Sequence, residues 1–283
     1  MVDDAQISVM DRSRRNLLIG ASLLGALSLA GLLPARCAMQ QIRRNSAIAG
    51  NQPPKRPPGT AKPLVDEDIG PVLARLDAWY ATHLPPGQYK FNPPATEAEL
   101  DAFERVIGLK LPRAYRQLYL WHDGESDDRW GHIYGLPLLP LDQARSQWRT
   151  WGDILAEFGG NRYTIPGAAW PEGAADPAYI NPLWIPLTHD GSGNHIGLDL
   201  DPWPGGRTGQ VILFGRDEDV KVVLAGSLGK FLEWIAGLLE SGNFRLDAEA
   251  EERVLRQFRL KVPPANSFHE GARILLGAPG PFL

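Results

Sequence analysis

Between His189 and Asp201 the chain brings two imidazoles, three carboxylates and a serine into thirteen residues, HDGSGNHIGLDLD. Imidazole and carboxylate together suit zinc or manganese, which makes His189, Asp190, His195 and Asp199 candidate ligands. Their spacing matches no zinc pattern, however, and HExxH is absent. Ser192 sits between two glycines with a histidine three residues away on either side, an arrangement that raises acyl transfer. A nucleophile elbow needs G-x-S-x-G running into a helix; that pattern is not met, and strand-type residues follow. Gly191, Gly193 and Gly197 run one residue too long for a dinucleotide fingerprint and open a strand where a helix N-terminus would have to meet the pyrophosphate. Asp199 and Asp201, two apart on a strand, would stand on one face about 7 Å apart, within reach of the paired carboxylates of glycoside hydrolysis.

These residues need elements to hold them. After the Gly191-Ser192-Gly193-Asn194 turn, Ile196, Leu198 and Leu200 alternate with His195, Gly197, Asp199 and Asp201, the period of a half-buried strand. Asp201-Pro202-Trp203-Pro204-Gly205-Gly206 cannot continue it, since proline lacks the ladder donor and glycine favours turns. Val211 to Phe214 resumes β-type residues, Arg216 to Asp219 is a charged turn, and Lys221 to Ala225 is a further strand. Short strands joined by tight loops are antiparallel neighbours, because a parallel pair needs a longer crossover. Ser227 then caps a helix carrying Leu228, Phe231, Leu232, Ile235, Leu238 and Leu239 on one face.

Upstream, Val72, Leu76, Trp79 and Tyr80 recur at helical spacing after Asp68 and Pro71. Thr96 and Glu99 form a capping box ahead of Leu100, Phe103 and Ile107. Pro112 opens a third helix with Tyr115, Leu118 and Tyr119, ended by Gly124. Residues 160–182, rich in Gly, Ala and Pro, read as a long surface loop. No repeat of solenoid period is present.

The order GNHIGLDLDP, Gly-Gly loop, GQVILFGRDED, SLGKFLEWI, preceded by ATEAELDAFERVIGLKLPRAYRQLYLWHDG, resembles the SMI1/KNR4 family of the SUKH superfamily over about Asp66 to Asn243. Order and spacing carry the resemblance, not any single motif. It implies an α+β fold: a mainly antiparallel sheet with N-terminal helices and a closing C-terminal helix. It also implies a non-enzymatic protein-binding role without a cofactor. Bacterial members are commonly immunity proteins that neutralise a cognate toxin by occlusion, and fungal members act in cell-wall synthesis and its signalling.

The chain has 283 residues, 43% of them apolar, enough for one medium domain with appendages. Residues 1–62 hold nine Lys and Arg against three Asp, so of the net −4 about +6 lies there and −10 in residues 63–283. An acidic domain is poorly suited to phosphate backbones, so nucleic acid is not an expected partner. Residues 1–38 read as a signal peptide. Ser13, Arg14 and Arg15 with Asn16-Leu17-Leu18 resemble a twin-arginine pattern, and Leu17 to Leu33 is an uncharged apolar stretch. The expected location is periplasmic, with membrane contact only if this segment stays uncleaved as an inner-membrane anchor. Cys37 is the sole cysteine, so no intramolecular disulfide can form. Residues 39–65 read as a basic, Pro-rich linker, 66–243 as the domain, and 244–283 as an extension. In the extension Asp247 to Leu260 has helical composition, with Val254, Leu255 and Phe258 apolar.

Partner contact is expected from acidic and aromatic residues where the third helix hands over to a loop, Trp121, Asp123, Glu125, Asp127, Asp128 and Trp130, together with Asp199, Asp201 and Trp203. Buried rings supply desolvated area, and carboxylates supply orientation and on-rate. Two other readings stay open: a periplasmic enzyme acting on cell wall or carbohydrate, with Asp199 and Asp201 as acid and base, and an envelope scaffold. Nothing in the sequence fixes the oligomeric state.

Overall fold

The computed structural model describes residues 53–85, 90–125, 131–246 and 258–281. The export-signal residues Ser13, Arg14 and Arg15 lie outside them, as do Asp127, Asp128 and Trp130.

The first three helices follow the apolar spacing. In α1 (Gly70–His83) Val72, Leu73, Leu76, Trp79 and Tyr80 are buried. In α2 (Glu97–Ile107) the Thr96 hydroxyl accepts from the Glu99 N–H, while the Glu99 carboxylate accepts from the Thr96 N–H at 2.7 Å, the reciprocal box that satisfies two orphan donors. Helix α3 (Arg113–Trp121) follows Pro112 and ends before Gly124, whose φ of 64° and closeness to Pro140 leave no room for a Cβ. A fourth helix, α4 (Leu141–Glu157), has no counterpart in the sequence reading. Helix α5 (Leu228–Glu240) starts at Ser227 as expected, with its hydroxyl accepting from the Lys230 N–H. Glu67 also reaches this start, accepting from Ser227 Oγ and the Gly229 N–H at 2.8 Å each. A carboxylate there complements the positive end of the helix.

Strands β1 (Ala168–Trp170), β2 (Trp184–Pro186), β3 (Asn194–Asp199), β4 (Gln210–Gly215) and β5 (Val220–Ala225) form one sheet in the order β1-β5-β4-β3-β2. The run β2 to β5 is antiparallel, with Ile196 opposite Leu213 and Leu198 opposite Val211, while β1 lies parallel to β5. The long connection from β1 to β5 is what makes a parallel pair possible. Ile196, Leu198, Val211, Leu213, Val220 and Val222 pack on the helices in the main core.

The opposite face of the sheet is covered too. Trp184, Ile212 and Phe214 pack there with Ala175 and Ala178, and every residue of β3 is buried. This corrects the half-buried strand, and with it the surface loop over residues 160–182, much of which lies buried on the sheet and supplies β1. Small residues allow that approach. Ala175 and Ala178 are fully buried, and a Cβ on Gly167 would come 2.3 Å from the Pro177 carbonyl oxygen.

Both ends of the described chain are fastened. From Pro53 the Pro-rich segment is held: the Lys62 N–H donates to the Gly206 carbonyl and the Lys62 carbonyl accepts from the Thr208 N–H, each at 2.9 Å. Arg56 reaches Asp201 at 3.1 Å and the Pro202 carbonyl at 2.7 Å, so a free spacer does not describe residues 53–63. At the other end β6 (Arg245–Leu246) pairs antiparallel with β7 (Phe258–Arg259). Phe258 therefore sits on a strand rather than the expected helix, and residues 247–257 lie outside the described residues. The Phe258 ring stacks on Tyr134 at 4.9 Å and is fully buried. Helix α6 (Phe268–Leu276), capped by Ser267, then places Arg273 in a buried ion pair with Glu218 and sets His269, whose pKa burial pushes down to about 4, 3.2 Å from the same carboxylate.

Because Phe258 fills the core beside Trp79 and Tyr134, Phe258→Ala should lower the unfolding free energy by about 3–5 kcal/mol. Urea unfolding followed by tryptophan fluorescence measures it. A loss below about 1 kcal/mol would show that the extension is not part of the core.

Candidate functional site

The polar loop before β3 is built around Asp190. Its carboxylate accepts from the Ser192 N–H at 2.8 Å, Ser192 Oγ at 2.7 Å, the Asn194 N–H at 3.0 Å and Asn194 Nδ2 at 2.8 Å. Partial burial works against ionisation, but these donors hold the Asp190 pKa down at about 2. Ser192 thus donates its hydroxyl hydrogen bond to an ionised, turn-forming carboxylate, an arrangement that organises a loop and activates no nucleophile.

His195 is wholly buried. Its Nδ1 donates to the Thr188 carbonyl at 2.8 Å and its Nε2 accepts from Trp151 Nε1 at 3.1 Å. An indole N–H can only donate, so the ring is the neutral Nδ1–H tautomer and its remaining lone pair is engaged. Burial pushes the pKa down to about 4. Among the described residues no group of three or more His, Cys, Asp or Glu is placed to hold a metal ion.

Asp199 and Asp201 do not form a facing pair, because β3 ends at Asp199. Asp199 is fully buried; Oδ1 accepts from Trp184 Nε1 and the Asp201 N–H, and Oδ2 from Gln210 Nε2 at 2.9 Å. Burial outweighs these bonds and pushes its pKa up to about 7. Asp201, beyond the strand, is bridged by Arg56, Arg162 and Asn181. Arg162 simultaneously pairs with buried Asp176 at 2.5 Å. The carboxylates therefore stitch the covering segment and the amino-terminal segment to the end of β3.

The expected acidic and aromatic face is largely turned inward. Glu125 is buried and accepts from the Leu138 N–H at 2.8 Å and the His132 N–H at 3.1 Å, so it closes the 125–138 loop. Trp203 is only 7% exposed. Asp123 accepts from the Leu141 N–H at the start of α4, and half-buried Trp121 donates to Asp77 on α1 at 2.7 Å. Glu125, Asp199 and Trp203 are thus corrected from surface to interior: each carries polar atoms or apolar area that the fold itself requires.

What does open to solvent is a shallow aromatic slot with about 20 Å³ of free volume. Helix α4 gives Trp148, Trp151 and Gly152, the covering segment gives Tyr179 to Pro182, and Trp184 and Phe214 form its floor. Its walls are fixed by their own bonds. Trp148 Nε1 donates to the Pro182 carbonyl at 2.8 Å, Trp151 to His195, and the Trp151 and Tyr179 rings meet edge to face at 5.6 Å. These residues lie outside the expected site, although Leu141, Ala144, Trp148, Trp151 and Leu155 follow one helical face and carry the signal.

A model of the SMI1 / KNR4 family (SUKH-1) matches residues 94–234, from α2 into α5. The chain is 30% identical over 203 residues to the Cell wall assembly regulator SMI1 of Saccharomyces cerevisiae, covering 60% of this chain and 40% of that protein. It is 30% identical over 268 residues to the Cell wall biosynthesis/cell cycle regulator smi1 of Schizosaccharomyces pombe, covering 88% and 52%. It is 29% identical over 224 residues to the Glucan synthesis regulatory protein of Neurospora crassa, covering 68% and 42%. The chain spans about half or less of the length of these relatives.

His195 gives the site a pH signature. An unfolded imidazole titrates near 6.5; in the fold it stays neutral down to about 4. The unfolded chain is the stronger proton binder between those values, so the stability His195 lends is whole above pH 6.5 and is lost as pH falls toward 4. His195→Gln can donate to Thr188 and accept from Trp151 without titrating. Urea unfolding should show the wild type losing about 3 kcal/mol more than this variant between pH 7.5 and 4. Asp199 acts in the opposite direction as pH rises toward 7, equally in both proteins. Parallel pH curves would refute the assignment.

Proposed function

The chain carries an SMI1/KNR4 (SUKH-1) family domain over residues 94–234, and from that premise we propose that it is an exported, non-enzymatic binding protein that acts by covering a partner protein's surface. The observation that carries this reading is the fate of the reactive side chains. Ser192, His195 and Asp199 are spent on loop, strand and covering segment, whereas the aromatic slot is left open on fixed walls. Rigid aromatic anchors with a charged surround suit recognition.

Two biological uses follow. The names of the fungal relatives, regulators of cell wall assembly and biosynthesis, favour a role at the cell envelope, where the partner is a component of wall synthesis. The acidic domain, with −10 over residues 63–283, and the export pattern at Ser13, Arg14 and Arg15 fit an immunity protein that neutralises a cognate toxin by occlusion. Both uses rest on protein binding without turnover.

Affinity capture from envelope extracts, and co-expression with toxins encoded beside the gene, should yield a stoichiometric complex or protection of the cell. Recovery of no partner by either route, or peptidoglycan turnover abolished by Asp199→Asn, would overturn the reading. Export is tested separately: replacing both Arg14 and Arg15 by Lys should hold the protein in the cytoplasm on cell fractionation. Unchanged fractionation would remove the twin-arginine assignment.

A further inference from the structure

Of the five large apolar side chains that stand exposed among the described residues, three, Val262, Ile274 and Leu275, lie in the carboxy-terminal extension, beyond the stretch matched by the family model. They are 61%, 53% and 39% exposed. Packing brings them to one seam. A Cβ on Gly271 would stand 2.5 Å from Leu260 Cδ1 and 3.4 Å from Ala265 Cβ, so the segment 260–265 lies along that side of α6. Ile274 and Leu275 are three and four residues on from Gly271 and stand one turn further along the same side, while Val262 projects from the segment itself. The backbone there is fixed. Asn243 holds both backbone groups of Val262, Nδ2 donating to its carbonyl and Oδ1 accepting from its N–H at 2.7 Å each, so the valine is presented to solvent from an anchored chain.

The same ribbon carries positive charge. Arg245 on β6 is directly opposite Arg259 on β7, and cross-strand partners share a face. Lys261 follows two residues after Arg259, on that side of an extended chain, and both Arg245 and Lys261 are exposed. The carboxylate next to Gly271 on α6, Glu270, is taken up at the helix start, where it accepts from the Asn266 N–H at 2.8 Å. Charge along the chain sets the whole extension apart: residues 244–283 hold six Lys and Arg against five Asp and Glu, a net +1, whereas residues 63–243 hold fourteen against twenty-five, a net −11. Ile274 to Leu283 contains no ionisable side chain. An anionic surface would repel the acidic body and attract this end, where cations and apolar side chains stand together.

We propose that the carboxy-terminal extension is a membrane-surface contact, in which Val262, Ile274 and Leu275 enter the acyl boundary of an anionic bilayer while Arg245, Arg259 and Lys261 meet its headgroups. A lipid surface supplies both halves of that match, negative headgroups and an apolar layer beneath them. This goes beyond the protein-binding reading and is tested apart from it. The test uses the full chain with Cys37→Ser and Val262→Cys, the new thiol carrying an environment-sensitive fluorophore, so that the signal reports this end and not the apolar stretch at residues 17–33. Vesicles of phosphatidylglycerol and phosphatidylcholine in equal parts should shift the label to the blue saturably. Phosphatidylcholine alone should not, and added salt should reverse the shift.

The same label on Gly152→Cys in α4, where an added Cβ meets nothing within 4 Å, should stay unchanged. Arg259→Gln with Lys261→Gln should weaken the vesicle affinity about ten- to thirtyfold. Ile274→Ser with Leu275→Ser, both at exposed positions, should weaken it about tenfold or more while leaving the urea midpoint unchanged. No shift with either vesicle, an equal shift with phosphatidylcholine alone, an equal shift at Gly152→Cys, or indifference to both double variants would each overturn the proposal. If vesicles leave the label unmoved and Ile274→Ser with Leu275→Ser loses the captured envelope protein, the patch belongs to protein contact and the lipid assignment falls.

Discussion

Both faces of the five-stranded sheet are buried, and burying the second one sets conditions that much of the molecule answers to. An antiparallel sheet often leaves one face to water; here the residues that alternate outward on β3, His195, Gly197 and Asp199, are covered. Every polar group under that cover needs a partner. His195 is satisfied by Thr188 and Trp151, Asp199 by Trp184, Gln210 and the Asp201 backbone. Gly197 is glycine because the Ile185 carbonyl oxygen would stand 2.3 Å from a Cβ. The cover is itself held by Arg162, which joins Asp176 within it to Asp201 beyond β3.

The same constraint explains what the sequence disclosed. Elements whose identity rests on local rules are readable: the Thr96 and Glu99 box, the Ser227 cap, the alternation of Ile196 and Leu198. What stays hidden depends on contacts between distant segments. Gly, Ala and Pro are as suited to lying flat on a sheet as to a solvated loop, so Ala175 and Ala178 do not announce their burial. Trp203 and Glu125 sit among turn residues and charges and resemble surface by composition, yet both lie inside. Helix α4 escapes notice because its apolar face is sparse: only Leu141 and Ala144 are buried, and its tryptophans are half covered.

That sparse face borders the part of the surface that the fold leaves unspent. Side chains able to do chemistry are concentrated around β3, and the fold consumes them as fasteners. Shape and aromatic area remain, at the seam where α4 meets the covering segment. On a scaffold of this kind the rim and the few ring residues can vary without disturbing the sheet, because the hydrogen bonds that fix the walls lie behind them.

The stretch matched by the family model ends at residue 234 and begins at residue 94, but the folded body is larger. Helix α1 precedes it, and Phe258, Phe268 and Ala272 follow it, all contributing to the same core. The unit recognisable by descent is therefore smaller than the unit that must fold cooperatively. Fragments cut at the recognisable borders would lose Leu76, Trp79 and Phe258 and expose the core surfaces that these side chains cover. Transplanting this module, or comparing it with shorter kin, has to take the borders from the packing.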